Sequence, residues 1–197
     1  FKSIVSGGAG AETSPLETNT GIDYSHGSLK YTGNTFNMAI DGDGFFALEA
    51  ANGMRYTRNG QFQLSHTGEL ITDTGAKVLG QGGPIVIPKG GGEILVDKKG
   101  IISINGKEIG RFMITNFNDL TKIVPTGDST FAAPEDSIDD SGEAKFNIAQ
   151  GYLESSNVSV VTEMVDMITN MRSYEASNNV IKTFSELMER LIANQAT

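Results

Sequence analysis

The run Phe36-Asn37-Met38-Ala39-Ile40-Asp41, Gly42-Asp43-Gly44, Phe45-Phe46-Ala47-Leu48-Glu49 reads as strand, turn, strand. Its first part alternates apolar and polar residues with the period of two expected of a half-buried strand. The glycines around Asp43 then turn the chain, because glycine takes positive φ without a steric penalty. Asn52-Gly53 comes next, a favoured dipeptide for a tight hairpin, and leads into Met54-Arg55-Tyr56-Thr57.

The same rhythm spreads outward from this run. Asn59-Gly60 precedes Gln61–Ser65, Thr67-Gly68 precedes Glu69–Ile71, and Asp73-Thr74-Gly75 precedes Lys77–Leu79. Further short strands are expected at Ile85–Ile87, Glu93–Val96 and Ile101–Ile104, with Asn105-Gly106 turning into Lys107–Ile109. Arg111–Phe117 is the most apolar candidate, and Lys145–Ile148 is the last. No helical period interrupts residues 36–150, so βαβ units are excluded. The fold class is mainly β: an irregular barrel- or sandwich-like domain of short antiparallel strands. Residues 1–35, rich in Gly, Ser, Thr and Asn, read as a polar extended arm. Pro134–Gly142 reads as an acidic surface loop.

Residues 151–197 are of another kind. After the polar turn Glu154-Ser155-Ser156-Asn157 the chain runs to its end without Gly or Pro. Val160, Met164, Met167, Met171, Tyr174, Asn178, Ile181, Ser185, Met188 and Ile192 recur at alternating spacings of four and three, the seam of a long helix. A second line, Val161, Val165, Ile168, Val180, Phe184, Leu187 and Leu191, is expected to lie beside the seam and widen it. A helix from about Ser159 to Asn194 would be roughly 50 Å long. Burying eight apolar seam residues is worth on the order of 10–20 kcal/mol before ordering entropy is subtracted. A helix of that length overshoots a compact domain of some 120 residues. Association with another helix is therefore favoured over packing on its own β domain. The assembly interface is assigned to Val160, Met164, Met167, Met171, Tyr174, Ile181, Phe184, Met188, Leu191 and Ile192. The domain reading is 1–35 arm, 36–150 β domain and 151–197 assembly helix.

Composition narrows the function. The 197 residues carry a net charge of −9, which argues against a general nucleic-acid binder. With 38% hydrophobic residues the chain resembles a folded soluble protein, and no apolar run is long enough to span a bilayer. There is no cysteine, which excludes disulfides, thiol catalysis and Cys-based metal sites. Phe1-Lys2-Ser3 shows neither an initiator Met nor a leader, so the N-terminus is read as incomplete.

Candidate chemistry is sparse. Asp41-Gly42-Asp43-Gly44 lacks the remaining ligands of a calcium loop and reads as a β-turn. Gly80-Gln81-Gly82-Gly83-Pro84 and Gly90-Gly91-Gly92 are followed by neither Lys-Ser/Thr nor a helix N-terminus, so they read as turns rather than phosphate loops. His26 and His66 are the two imidazoles, and no nucleophile elbow exists. No catalytic residue, metal ligand or cofactor is assigned, and no small-molecule substrate is expected.

Gly151-Tyr152-Leu153-Glu154-Ser155-Ser156-Asn157-Val158, Glu163–Ile168 and Arg172-Ser173-Tyr174-Glu175 resemble the C-terminal signature of bacterial flagellar basal-body rod and hook proteins. Met38–Phe46 and Tyr56-Thr57-Arg58-Asn59-Gly60-Gln61-Phe62 are similar to that family's internal motifs. The resemblance covers nearly all of residues 27–195. The modest stretch between Leu79 and Gly151 leaves no room for a hook subunit's outer domain, and the compactness looks more like the proximal than the distal rod member. Two features depart from the family: its N-terminal helical segment is absent, and Thr162 stands where Glu is common, so a capping box is lost. The resemblance implies a non-enzymatic rod subunit, exported through the flagellar secretion apparatus. Its partners would be other copies of itself and other rod or hook subunits, polymerised across the periplasm. The competing reading is a carbohydrate-binding or adhesin-like β module with an oligomerising tail, which would expose aromatics on a strand face. A hydrolase has almost no support.

Overall fold

A computed structural model describes residues 2–5, 20–88, 90, 92–139 and 145–195. The chain divides into two compact units, Phe1–Asn157 and Val158–Thr197. The first is built of short antiparallel strands; the second is the helix Val160–Gln195.

Phe45–Ala50 lies at the centre of the largest sheet. One edge pairs along its length with Gly53–Thr57. The other edge is shared, with Ile114–Thr115 on Phe46 and Phe45 and Lys77–Gly80 on Leu48 and Glu49. Both faces are covered, so consecutive residues enter different cores. Phe46 and Leu48 join Met38, Ile40, Phe62, Val78 and Phe112. Phe45 and Ala47 join Tyr56, Phe117, Ile123 and Phe131. The Phe46 ring meets Phe62 and Phe112 at centroid distances of 5.1 and 5.5 Å; Phe45 meets Phe117 and Phe131 at 5.4 and 5.8 Å. This two-sided burial is why Phe45–Leu48 is apolar without alternation. The neighbouring Met38–Gly42 is also more buried than the half-buried strand expected: Met38, Ala39 and Ile40 are all inside.

Around the centre stand the three-stranded sheet Ile94–Val96, Ile101–Ile104, Lys107–Arg111 and the pair Met38–Gly42 with Phe146–Gln150. Among the described residues no sheet closes into a barrel, so the irregular, sandwich-like half of the expectation describes the domain. Asn105-Gly106 makes the expected tight turn, with φ of 50° and 80°. Asn52-Gly53 does not: Ala50 pairs with Gly53, so Ala51-Asn52 form the loop and Gly53 supplies the positive φ of 100° as the strand begins. Ile85–Ile87 contributes two buried side chains and one isolated bridge, Glu69–Val86, because the ladder partner of Lys77–Gly80 is Gly83–Pro84. Within Arg111–Phe117 the strand is broken: Arg111 ends the strand Lys107–Arg111 opposite Ile101, Ile114–Thr115 pairs with Phe45–Ala50, and single bridges stand at Phe112 and Phe117. The edge hairpin Val124–Gly127 with Thr130–Ala132 went unforeseen, since its turn, Asp128-Ser129, takes φ of 50° and 57° without a glycine. In the acidic loop, of which residues 140–142 lie outside the described residues, Ser137 is buried and donates to the Pro134 carbonyl at 2.6 Å, so the described part is anchored rather than wholly solvated.

Gly60 serves close approach rather than turning. Its carbonyl accepts the Met38 N–H at 2.9 Å, and a Cβ there would lie 1.6 Å from the Met38 carbonyl oxygen. At Gly82, by contrast, a Cβ meets nothing within 4 Å. Gly60→Ala is expected to lower stability by about 2–4 kcal/mol, and Gly82→Ala to change it by less than about 0.5 kcal/mol, in urea unfolding.

Candidate assembly site

Two features of the chain stand out as built for a purpose other than filling a core. The first is a polar clasp within the β unit. Arg58 is 6% exposed and engages on every side. Its Nε donates to Glu154 Oε2 at 2.8 Å, Nη1 to the Gly44 carbonyl at 2.9 Å, and Nη2 to the Ile40 and Gly42 carbonyls at 3.1 Å. The Phe45 ring centroid lies 5.7 Å from the guanidinium carbon. Two of the accepting carbonyls, those of Gly42 and Gly44, belong to the stretch read above as a turn and not a calcium loop; Gly42 and Gly44 take φ of 113° and 116°. A planar five-donor cation suits this task, since it serves a carboxylate and several carbonyls at once.

Glu154 carries the clasp onward. Its Oε1 accepts the Gly27 N–H at 2.9 Å, and the Ser155 N–H donates to the Ser28 carbonyl at 2.9 Å. Gly27 must be glycine, because a Cβ would sit 1.7 Å from the Ser155 oxygen. Tyr152–Glu154 is a strand paired with Leu29–Tyr31, so the expected polar turn begins one residue later. Gly151 accepts from Thr32 and Gly33, and the Asn157 amide donates to the Asp23 and Ser25 carbonyls. Gln150 spans the gap to the three-stranded sheet, donating to the Thr35 and Ile94 carbonyls and accepting the Val96 N–H. Residues 150–157 are thus fastened to residues 23–35 along their length. The two partners of the Arg58–Glu154 pair are 96 residues apart, and nothing local in the sequence links them.

A polar cleft of about 360 Å³ opens beside the clasp, and its charged lining residues, Arg58 and Glu154, neutralise each other. Elsewhere His26 lies 3.5 Å from Asp43 with both side chains largely exposed, and His66 sits exposed on the Ser65–Gly68 turn. Among the described residues no group of three or more His, Asp or Glu is placed to hold a metal ion, and no helix is long and apolar enough to cross a membrane.

The second feature is the helix Val160–Gln195, 36 residues and about 54 Å long. Ser159 caps it, its Oγ accepting the Thr162 N–H at 3.4 Å and its carbonyl the Glu163 N–H at 3.0 Å. Thr162 occupies the third helical position, where a carboxylate would have completed the capping box, and Glu163 supplies the negative charge at the positive end of the helix instead. Val160, Met164, Met167, Met171, Tyr174, Ile181 and Met188 follow one another down one face and are 47–70% exposed; Leu191 and Ile192 lie outside the described side chains. The second line does not lie beside this seam. At roughly 100° per residue it falls about 100–160° from the seam's centre. Val161, Val165 and Ile168 sit on one flank, and Val180, Phe184 and Leu187 on the other. Phe184, assigned to the interface, is one of these flank residues. The helix is therefore apolar on more than one side. Several of its hydroxyls are already satisfied internally: Thr169 donates to the Val165 carbonyl at 2.9 Å, Ser173 to Thr169 at 3.0 Å and Ser177 to Ser173 at 2.9 Å.

With this geometry in view, comparison with known proteins is informative. Residues 149–194 match the family described as "Flagellar basal body rod FlgEFG protein C-terminal", and residues 39–104 match "Flagellar hook protein FlgE/F/G D1 domain". The chain is 34% identical to the flagellar basal-body rod protein FlgF of Caulobacter vibrioides, over 87% of this chain and 70% of that protein. It is 32% identical to FlgG of Bacillus subtilis, over 94% and 76%, and 33% identical to FlgF of Salmonella typhimurium, over 84% and 70%.

Replacing Arg58 with Met should strand Glu154 and three carbonyls and lower stability by about 3–5 kcal/mol. Glu154→Gln keeps a hydrogen-bonding amide but leaves the buried Arg58 guanidinium without its countercharge, and should also cost about 3–5 kcal/mol. Urea unfolding of both variants checks this.

Proposed function

The chain belongs to the family of flagellar basal-body rod and hook proteins, and from that premise we propose that it is a structural, non-catalytic subunit of the rod. It polymerises through its terminal helix and β-domain contacts into a helical tube that transmits torque. Its place is the basal body, where it meets other copies of itself and other rod and hook subunits. It reaches that place through the flagellar export apparatus, and it takes neither nucleic acid nor a small-molecule substrate. In this reading residues 1–35 are a connecting arm, 36–150 the outer contact domain and 151–197 the assembly segment.

The observation that carries the proposal is the capped, uninterrupted helix with its exposed apolar seam. So wide an apolar surface marks an interaction site. Contacts repeated head to tail without closing a ring generate a helical tube. The clasp supports the same reading, because a subunit under load needs a firm junction between arm, β domain and exit strand. The carbohydrate-binding reading lacks the broad aromatic face it requires: Phe45, Phe46, Phe62, Phe112, Phe117 and Phe131 are all inside the two cores, and among the described strand residues the exposed aromatics are the single pair Tyr31 and Tyr152.

Removing residues 158–197 is expected to leave a folded, monomeric β domain that cannot enter a rod. Circular dichroism, sedimentation and motility in a strain carrying only the truncated gene test this. Normal assembly by the truncated chain would sink the proposal. Met171→Asp, which places a charge mid-seam, should abolish motility while subunit synthesis stays at the wild-type level.

A further inference from the structure

The seam has a chemical character that its apolarity does not require. Four of the chain's seven methionines stand on it: Met164, Met167 and Met171 at successive seam positions, and Met188 further along. Their side chains are 47–60% exposed in the single chain. There is no cysteine, so the thioethers are the only sulfur a peroxide can reach. Leu at the same positions would pack comparably and be inert.

We propose that these four methionines are a modification site, oxidised by peroxide on the unassembled subunit, and that their sulfoxidation blocks assembly until it is reversed. The inference rests on the seam being the polymerisation surface. A thioether lone pair attacks one oxygen of hydrogen peroxide, the O–O bond breaks and an S–O bond forms. The sulfur-bound oxygen gives up its proton and the departing hydroxide takes one up, leaving as water. Sulfur is oxidised by two electrons and the peroxide is reduced by two. The product carries a strong hydrogen-bond acceptor; along the apolar stretch from Val160 to Met171 pairing would bury the Met164 and Met167 oxygens without a seam donor, whereas Tyr174 and Ser185 stand next to Met171 and Met188. Once assembled, the seam is covered and the sulfur shielded, which confines the switch to subunits awaiting incorporation. A methionine sulfoxide reductase drawing two electrons from a thiol pair returns the thioether and releases the oxygen as water, so the block is reversible.

The chain supplies its own controls. Met38 is 2% exposed in the core and should resist peroxide, whereas Met54 is 44% exposed on the β hairpin, off the seam, and should oxidise without effect on assembly. The test begins with hydrogen peroxide on the purified chain and mass mapping of sulfoxide over time. The four seam methionines and Met54 are expected to react at least tenfold faster than Met38; equal rates would overturn the inference. Next, cells lacking this subunit are complemented with the wild-type chain or with M164L/M167L/M171L/M188L, pulsed with peroxide during rod growth, and scored for motile fraction. The wild type should lose at least fivefold relative to the four-Leu strain, and overproduced methionine sulfoxide reductase should restore it. Equal losses in the two strains overturn the proposal. If the four-Leu chain fails to support swimming unpulsed, rescue of pulsed wild type by the reductase decides: rescue supports the switch and its absence overturns it. Swimming by unpulsed Met171→Asp cells would instead remove the seam reading itself.

Discussion

The guanidinium of Arg58 is the constraint to which most of the β unit's special geometry answers. It is a buried cation, and an unpaired charge there would be severely destabilising. Glu154 supplies the countercharge, and the carbonyls of Ile40, Gly42 and Gly44 supply the remaining acceptors. For those carbonyls to converge, the chain must turn twice through positive φ, hence Gly42 and Gly44. For Glu154 to reach Arg58, the strand Tyr152–Glu154 must lie against the arm, hence the close approach at Gly27. One ion pair therefore explains three glycines and a strand pairing in segments far apart along the chain.

The helix obeys the opposite logic. Its polar needs are met from within, by the Ser159 cap and by hydroxyls bonded back to carbonyls a turn earlier, while its apolar side chains are left outward. A stripe that faced one partner alone would be confined to one side. Here the flank lines carry Val161 and Val165 early and Phe184 and Leu187 late, so one companion helix would leave apolar surface in water. The polymerisation proposed above would surround each helix with neighbours and answer that arrangement with many weak contacts rather than one strong one. The same exposure leaves four seam methionines open to solvent, so in the proposed reading the surface that would join subunits is also the one open to oxidation.

Much of the architecture was legible in the residues. Short apolar or alternating runs broken by Gly-bearing turns locate the strands around Met38, Phe45, Ile101 and Phe146. The Gly- and Pro-free heptad pattern located the helix to within a residue at each end. Reading failed where the cause was not local. The Asp128-Ser129 turn adopts positive φ without glycine, because its flanking strands Val124–Gly127 and Thr130–Ala132 are held in place by the sheet. Ile85–Ile87 was apolar for the sake of a core and not of a ladder. The second line of helix residues reads as lying beside the seam because spacing along the sequence hides the angle between distant turns.

The sequence by itself determined that this chain is mainly β with one long terminal helix and that the helix carries a repeating apolar seam, because hydrophobic period and turn chemistry act over a few residues. It also carried motifs specific enough to point to one family. What only the tertiary structure decided was the Arg58–Glu154 clasp, the fastening of residues 150–157 to residues 23–35, and the close approach at Gly60. Each depends on segments that the sequence separates and the fold brings to hydrogen-bonding distance, and a linear pattern holds no record of that distance.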